Sequence, residues 1–568
     1  MSRFYWCPEN NRAVFGLLFF IAVMFSLTLI ANPGFFSHDE LERADYVSRY
    51  GFLHYLTVHV MPQPGNDFGV PVRPVSFFIQ GVVSLFLPTY PFLIHLVDVL
   101  IHASVAVMLF VITLKLHGNR QFAWFGALIF IASPLAAFST GWSAALMDRL
   151  YILFGLIALV AAHSYISQQR GRTSLLAIFV ASTLAMWSKE TALILPAVLI
   201  IYPLFSLESV KNKRLWISFL VWSMPVLLFL LYRAPALINT FSGQVATAYP
   251  PSLENVPENI VTYFIYPFLS FLTEPHLWSI SSKLSIWAAV FAHLSLLVIL
   301  GYAFSYRVVL AYLLGYVIFL IPVLLIPTKG AHYLYGSGLV LSLAIGALLT
   351  LNWKRGRKIL IAIPIGLLIV SVLHAAMIQR YFYKTGSCMN SLAMTMESSY
   401  LADGGPEIMS ILVEPSAPGH VLHRFAHNKV MIGSYFPVAF QVVDWDMRGD
   451  NKTHYLFNSD CVVYKQSVVD LKIINWGPQS TVVDMIPGLQ PDGSAGIWIQ
   501  VSGALGLGDA QVLFDGQPAR ATSVQPNLIT AAISPKKFTK PGKKEISIRQ
   551  VSTGKVFTVG FLNVGVSK

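Results

Sequence analysis

The chain has 568 residues, 55% hydrophobic and 12% charged, with a mean hydropathy of +0.62; soluble globular proteins carry roughly 25% charged residues, so a soluble enzyme is excluded. The net charge of +12 does not signal nucleic acid, because the Lys and Arg residues sit in short clusters between apolar runs and not along one face. Three cysteines rule out a disulfide scaffold or a zinc ribbon.

The first apolar run, AVFGLLFFIAVMFSLTLIA at 13–31, is too long for a signal-peptide core and has no small-residue cleavage site behind it, so it reads as an uncleaved span. FFSHDELERADY follows, crowding Asp39, Glu40, Glu42 and Asp45 where the chain leaves the bilayer. On one reading these are ordinary loop charges at a span's end. On the other, one carboxylate held at the lipid surface serves as a general base. VRPVSFF then sets Arg73 ahead of an apolar stretch, 75–88, that is too short to cross and is expected in the outer interface or as a re-entrant segment.

Further spans are expected near 93–116, 121–139, 143–166, 174–188, 190–206, 215–232, 284–305, 308–327, 334–351 and 359–378, giving about eleven at about twenty residues per crossing. Keeping every basic cluster inside, from Arg3 and Arg12 to KRGRK at Lys354–Lys358, puts the N-terminus in the cytoplasm and the C-terminus outside. On the second span His95, Asp98 and His102 fall at i, i+3 and i+7 and share one face. Two histidines and a carboxylate suit either a metal or hydrogen bonding between neighbouring helices, the latter being the commoner use of such groups.

MDRLY sets Asp148 and Arg149 just inside an outer end, WSKETALILP sets Lys189 and Glu190 in a tight outer turn, and PTKGAHYLYGSGL adds Lys329, His332, Tyr333 and Tyr335 at another. Cations at one level beside the first-loop acids suit a phosphate. Snorkelling and aromatic anchoring explain each position singly. Two long outer loops, 32–92 and 233–283, would roof this face; the second contains NIVTYFIYPFLSFL, too broken by proline and polar residues for a span.

After 378 hydropathy falls. An extracytoplasmic α/β linker domain is expected over 379–480, in which HVLHRFAHNKVMIGSYFP is a helix or two strands, and a β-sandwich over 481–568, from short alternating segments such as GIWIQVSG and KKEISIRQ. Cys388 and Cys461 would both lie outside, either bridged or as two free thiols. VDWDM offers Asp444 and Asp446 as a D-x-D pair for a divalent cation, a tripeptide that is also common as plain surface acidity. No Walker A, G-x-S-x-G, G-x-G-x-x-G or H-E-x-x-H occurs, which sets aside nucleotide-driven pumps and the common hydrolases.

The acidic pair after the first span, then VRPVSFF, HLVDVLIHASVAVMLF, ASPLAAFSTGWSAALMDRLYILFGLIAL, SKETALILPAVLIIYPL and AHYLYGSGL, resemble in this order the GT-C glycosyltransferases, over roughly residues 10–380. The likeness is closest to the membrane part of the transmembrane O-mannosyltransferases with tetratricopeptide repeats, and extends to protein O-mannosyltransferases and aminoarabinose transferases. It implies a GT-C-like transmembrane catalytic domain, 1–378, in a multi-pass α-helical membrane protein with an extracytoplasmic β-rich, immunoglobulin-like (IPT/TIG-like) C-terminal region. It also implies an inverting enzyme acting on the outer or lumenal face; the membrane expected for this chain is a bacterial inner membrane. A monosaccharide would pass from a polyprenyl-phosphate lipid to an extracytoplasmic acceptor, a glycan of the cell envelope such as O-antigen or a protein hydroxyl.

In that resemblance Asp39, with Glu40 beside it, matches the catalytic carboxylate, Arg73-Pro74 the Arg-Pro segment, and Lys189-Glu190 the Lys/Arg-Glu turn. Arg73, Arg149, Lys189, Lys329 and His332 are then candidates for the donor phosphate. His95, Asp98, His102, Asp148, Glu190, Tyr333 and Tyr335 are polar substrate or structural residues. The outer tyrosine motif, usually Glu-Arg-Tyr, here reads Ala331-His332-Tyr333. No cofactor or metal is expected, with a divalent cation optional. The rival readings are a transporter or flippase of lipid-linked sugars, with His95, Asp98 and His102 as its pathway, and a polymerase using polyprenyl diphosphate.

Overall fold

The computed structural model describes residues 9–35, 38–60, 72–86, 90–167, 171–206, 210–241, 251–268, 283–351, 361–402, 408–414, 416–418, 421–422, 429–432, 436–443, 454–466, 472–502, 510–525, 528–551 and 554–566. The chain divides into two compact units, one holding Met1–Asn390 with Gly433–Tyr435, the other Ser391–Ile432 and Phe436–Lys568. Asp444 and Asp446 lie outside the described residues.

The first unit is helical, as hydrocarbon demands, since a helix satisfies its own backbone polar groups. Among the described residues six helices are long and apolar enough to cross a membrane: Pro91–His117, Ser143–Ile166, Lys213–Pro235, Ile286–Ala303, Ala331–Leu349 and Ala362–Leu401. A seventh counts if Arg120–Ile131 and Pro134–Gly141, bent by 49°, form one span. The bend has a local cause. Pro134 has no backbone N–H to continue the first helix, and the Ser133 hydroxyl accepts from the Leu135 N–H at 3.3 Å to start the second. Leu220, Leu227 and Leu231 stand exposed along one of the spans, a face suited to lipid and not to water. The chain is an integral membrane protein.

The other expected spans are shorter or broken. Residues 13–31 hold the helices Glu9–Phe25 and Leu27–Ile30, 174–188 the 15-residue helix Arg172–Met186, and 190–206 a 3-10 turn, Glu190–Ile194, ahead of Ala197–Phe205. Residues 308–327 divide into Tyr306–Ile318 and Ile321–Leu324. Pro196, Pro203 and Pro322 fall in these stretches, and a hydropathy sum does not register the hydrogen bonds they remove. The run at 75–88 forms the 11-residue helix Pro74–Ser84, which at 1.5 Å per residue reaches only ~16 Å.

The final helix, Ala362–Ala402, runs straight through 378, where hydropathy falls. Gln379, Arg380, Lys384 and Ser387 lower the apolar content there without disfavouring helix. Cys388 and Cys461 are each disulfide-bonded.

The second unit carries the sheets. Met409–Val413 lies between two parallel neighbours, Phe436–Val443 and His454–Phe457; Lys429–Ile432 and Val463–Gln466 close the edges antiparallel. The stretch HVLHRFAHNKVMIGSYFP thus contributes to two strands. A sandwich of a five-stranded and a four-stranded sheet follows, beginning at Lys472–Gly477 and so ahead of 481. Ile497, Ile499, Val512, Ile546, Ile548 and Leu562 alternate inward to form its core.

Candidate active site

The chain leaves the helix Leu27–Ile30 through a stretch fixed on three sides. Asn32 donates from Nδ2 to the Phe382 carbonyl at 3.2 Å and accepts from the Gly34 N–H at 3.1 Å. Gly34 lies so close to the last helix that a Cβ would stand 2.1 Å from the Gly386 carbonyl oxygen. His95 Nε2 meets the Gly34 carbonyl at 2.9 Å. His95 therefore anchors this loop. Among the described residues no group of three or more His, Cys, Asp or Glu is placed to hold an ion.

The helix His38–Tyr50 starts just beyond, with Asp39 and Glu40 in its first turn, where acidic side chains complement the helix dipole. Asp39 is half-buried; Glu40 is buried and turned inward. With Arg43, one turn on, Glu40 lines a cavity of about 30 Å³ whose other walls include Gln80, Ser84, Asp98 and Ser143.

Behind that cavity Asp98 accepts from the Ser143 hydroxyl at 2.5 Å and forms an ion pair with Arg149. Arg149 is 0% exposed, and its Nε and Nη1 have no hydrogen-bond partner. A buried pair is tolerated only where the charges are matched. Arg149 is thus paired with Asp98 through Nη2 and is fully buried. His102 lies deeper and bonds through Nδ1 to the Tyr335 hydroxyl at 2.9 Å.

The next residue up, Asp148, takes Lys189 Nζ at 2.5 Å, and Lys189 lies 5.0 Å over the Tyr333 ring. His332 packs on Tyr333 and edge-on to Trp142. Glu190 receives Arg73 Nε at 2.7 Å and the Val72 N–H at 3.2 Å. Two contacts repeat this clamp on the backbone: Val75 N–H to the Trp187 carbonyl at 3.1 Å, and the Ser76 hydroxyl to the Ser188 carbonyl at 2.8 Å. Arg73 keeps about a fifth of its side chain exposed, at 22%.

The helix Pro74–Ser84 is held on its other side by Tyr55, whose hydroxyl donates to the Phe77 carbonyl at 3.1 Å. Burial pushes that phenol up to about 12, against a smaller pull from Arg43, so it remains a donor. Gly81 permits the contact, since a Cβ there would lie 2.5 Å from the Tyr55 ring.

Of the residues singled out in the sequence, Asp39, Glu40, Asp98, Asp148, Arg149, Lys189, Glu190 and Arg73 are thus linked through shared elements at one end of the bundle, with Tyr333 and His332 beside Lys189. Lys329 instead pairs with Glu258 on the helix Asn255–Ile265. Sequence reasoning missed Arg43, Gln80 and Ser143. Arg43 was signalled by its i, i+4 spacing from Asp39, and Gln80 by being the one amide in an apolar run.

No protein-family model matches the chain, and no curated protein does. Among solved structures, ArnT from Cupriavidus metallidurans bound to undecaprenyl phosphate aligns at 12% identity and a TM-score of 0.44, over 79% of this chain and 93% of that one. The oligosaccharyltransferase of Archaeoglobus fulgidus, tethered to an acceptor peptide, aligns at 10% identity and a TM-score of 0.41, over 74% of this chain and 64% of that one. Overlaps of this quality carry no inference about residues or chemistry.

Proposed function

We propose that the chain is an inverting GT-C glycosyltransferase that moves a monosaccharide from a polyprenyl-phosphate lipid to a hydroxyl acceptor on the non-cytoplasmic face. The observation that carries this reading is the alternation of acids and cations at one end of an apolar bundle: Asp39 and Glu40, Asp98 with Arg149, Asp148 with Lys189, and Glu190 with Arg73. The ordered sequence resemblance over residues 10–380 supports it.

In this mechanism the acceptor oxygen bonds to C1 of the sugar while the C1–O bond to phosphate breaks. Its proton passes to Asp39, and polyprenyl phosphate departs with the bonding pair. The leaving group carries its own charge and needs no general acid. Arg73 and Lys189, fixed by Glu190 and Asp148, meet the charge that gathers on it. Arg149 holds Asp98 in place from below. A transport pathway through His95, Asp98 and His102 is less well supported, because each already bonds to a fixed neighbour.

The test is incubation of purified protein with radiolabelled polyprenyl-phosphate sugars. Only this reading predicts release of free polyprenyl phosphate. Asp39→Asn should lower turnover by about 10²–10⁴-fold while leaving the protein inserted and folded. Near-normal turnover would remove Asp39 from the role of proton acceptor.

A further inference from the structure

The cavity that Glu40 lines has a feature that the proposed reaction does not use. Gln80, on the helix Pro74–Ser84, is only 7% exposed, and neither its amide nitrogen nor its amide oxygen has a hydrogen-bond partner. Buried amides are almost always satisfied by protein or by a small molecule held beside them, so the partner of this one is supplied from the cavity it lines. Gln80 is also fixed where it stands, with Gly81 against the Tyr55 ring and Ser76 bonded to the Ser188 carbonyl. Glu40, Arg43, Ser84, Asp98 and Ser143 share the cavity.

The chemistry of this lining narrows the ligand. A carboxamide offers a donor and an acceptor side by side, and among the groups a neutral hexose carries the hydroxyl is the one that answers both. Asp98 is matched by Arg149 and Glu40 stands with Arg43, so the charges balance and the site offers an anion no net attraction, while an apolar group would leave the amide unpaired. At about 30 Å³ the cavity admits one or two atoms the size of water, not a sugar ring.

We propose that Gln80 is the specificity-determining residue of a subsite that takes a single hydroxyl or hydroxymethyl group of the transferred sugar. This rests on the transferase reading above. A site built to hydrogen-bond a hydroxyl rejects the analogue lacking it far more strongly than an apolar pocket rejects an extra methylene.

The experiment compares undecaprenyl-phosphate-linked hexoses with their monodeoxy analogues on full-length protein in detergent, for the wild type, Gln80→Leu and Gln80→Met. Wild type should prefer the best hexose over one particular deoxy analogue by a hundredfold or more in kcat/KM. Both variants should cut that ratio at least tenfold, by losing rate on the parent sugar while keeping the rate on the analogue. If one variant fails to fold, the other decides.

Equal losses on parent and analogue, or a ratio unchanged by the substitutions, would overturn the assignment and leave a cavity that merely holds water. Absence of turnover by the wild type on any polyprenyl-phosphate sugar would overturn the transferase reading, and this inference with it.

Discussion

Asp98 and Arg149 show how a single residue's meaning depends on its partner. Either alone is an ionisable group inside an apolar helix, an expensive placement that marks function by default. Paired, with Ser143 on the second carboxylate oxygen, they form a strut beneath the cavity. Removing one member leaves the other charged and buried, so Asp98→Ala should destabilise the protein by about 3–5 kcal/mol. Asp98→Leu combined with Arg149→Met should recover most of that loss, because the combination removes both charges. Thermal unfolding in detergent for the single and double variants measures the difference. Losses that simply add would mean that the pair is not coupled. The residue types were legible in the sequence and the pairing was not, since 51 positions separate the two.

At the scale of elements, the helix that presents Asp39 and Glu40 is aimed by the backbone on either side of it. Gly34 and Gly386 approach so closely that alanine at either must push something aside: at Gly34 the Gly386 carbonyl, at Gly386 the Asn32 amide, 1.9 Å from the new carbon. We expect Gly34→Ala and Gly386→Ala each to lower both the unfolding temperature and the transfer rate. Gly16→Ala is the control, because a Cβ there meets nothing within 4 Å. Gly16 lies inside the helix Glu9–Phe25, where the change should be neutral or stabilise by up to about 1 kcal/mol. Parallel unfolding scans of the three variants check this; a Gly34→Ala curve matching that of Gly16→Ala would mean that the loop is not held there.

The helix Pro74–Ser84 makes the same point from the sequence side. Its shortness was readable from its length, but its clamp on residues 187–190 was not, because the Arg73–Glu190 pair and the bonds of the Val75 N–H and the Ser76 hydroxyl to the Trp187 and Ser188 carbonyls join residues far apart in the chain.

For the whole molecule, the distribution of basic residues predicts an N-terminus inside and the acidic helix outside. On a background lacking Cys7, a membrane-impermeant maleimide added outside intact cells should label Tyr50→Cys, at an exposed end of the helix His38–Tyr50, and spare Tyr306→Cys at the start of Tyr306–Ile318. The reverse pattern would put the acidic helix in the cytosol and end the proposed function, since an anchored donor would then face the wrong way.

The sequence by itself determined that the chain lives in a membrane, where its apolar runs lie, that its tail is β-rich, and which ionisable residues stand at the ends of spans. Hydropathy and strand alternation are local quantities, and a few neighbouring residues suffice to state them. Only the tertiary structure decided which acid faces which cation, that Glu40 and not Asp39 turns toward the inner cavity, that His95 ties down a loop, and that Gln80 is left without a partner. Those outcomes depend on distances between residues far apart in the chain, and such distances are fixed by helix packing, which no local pattern encodes.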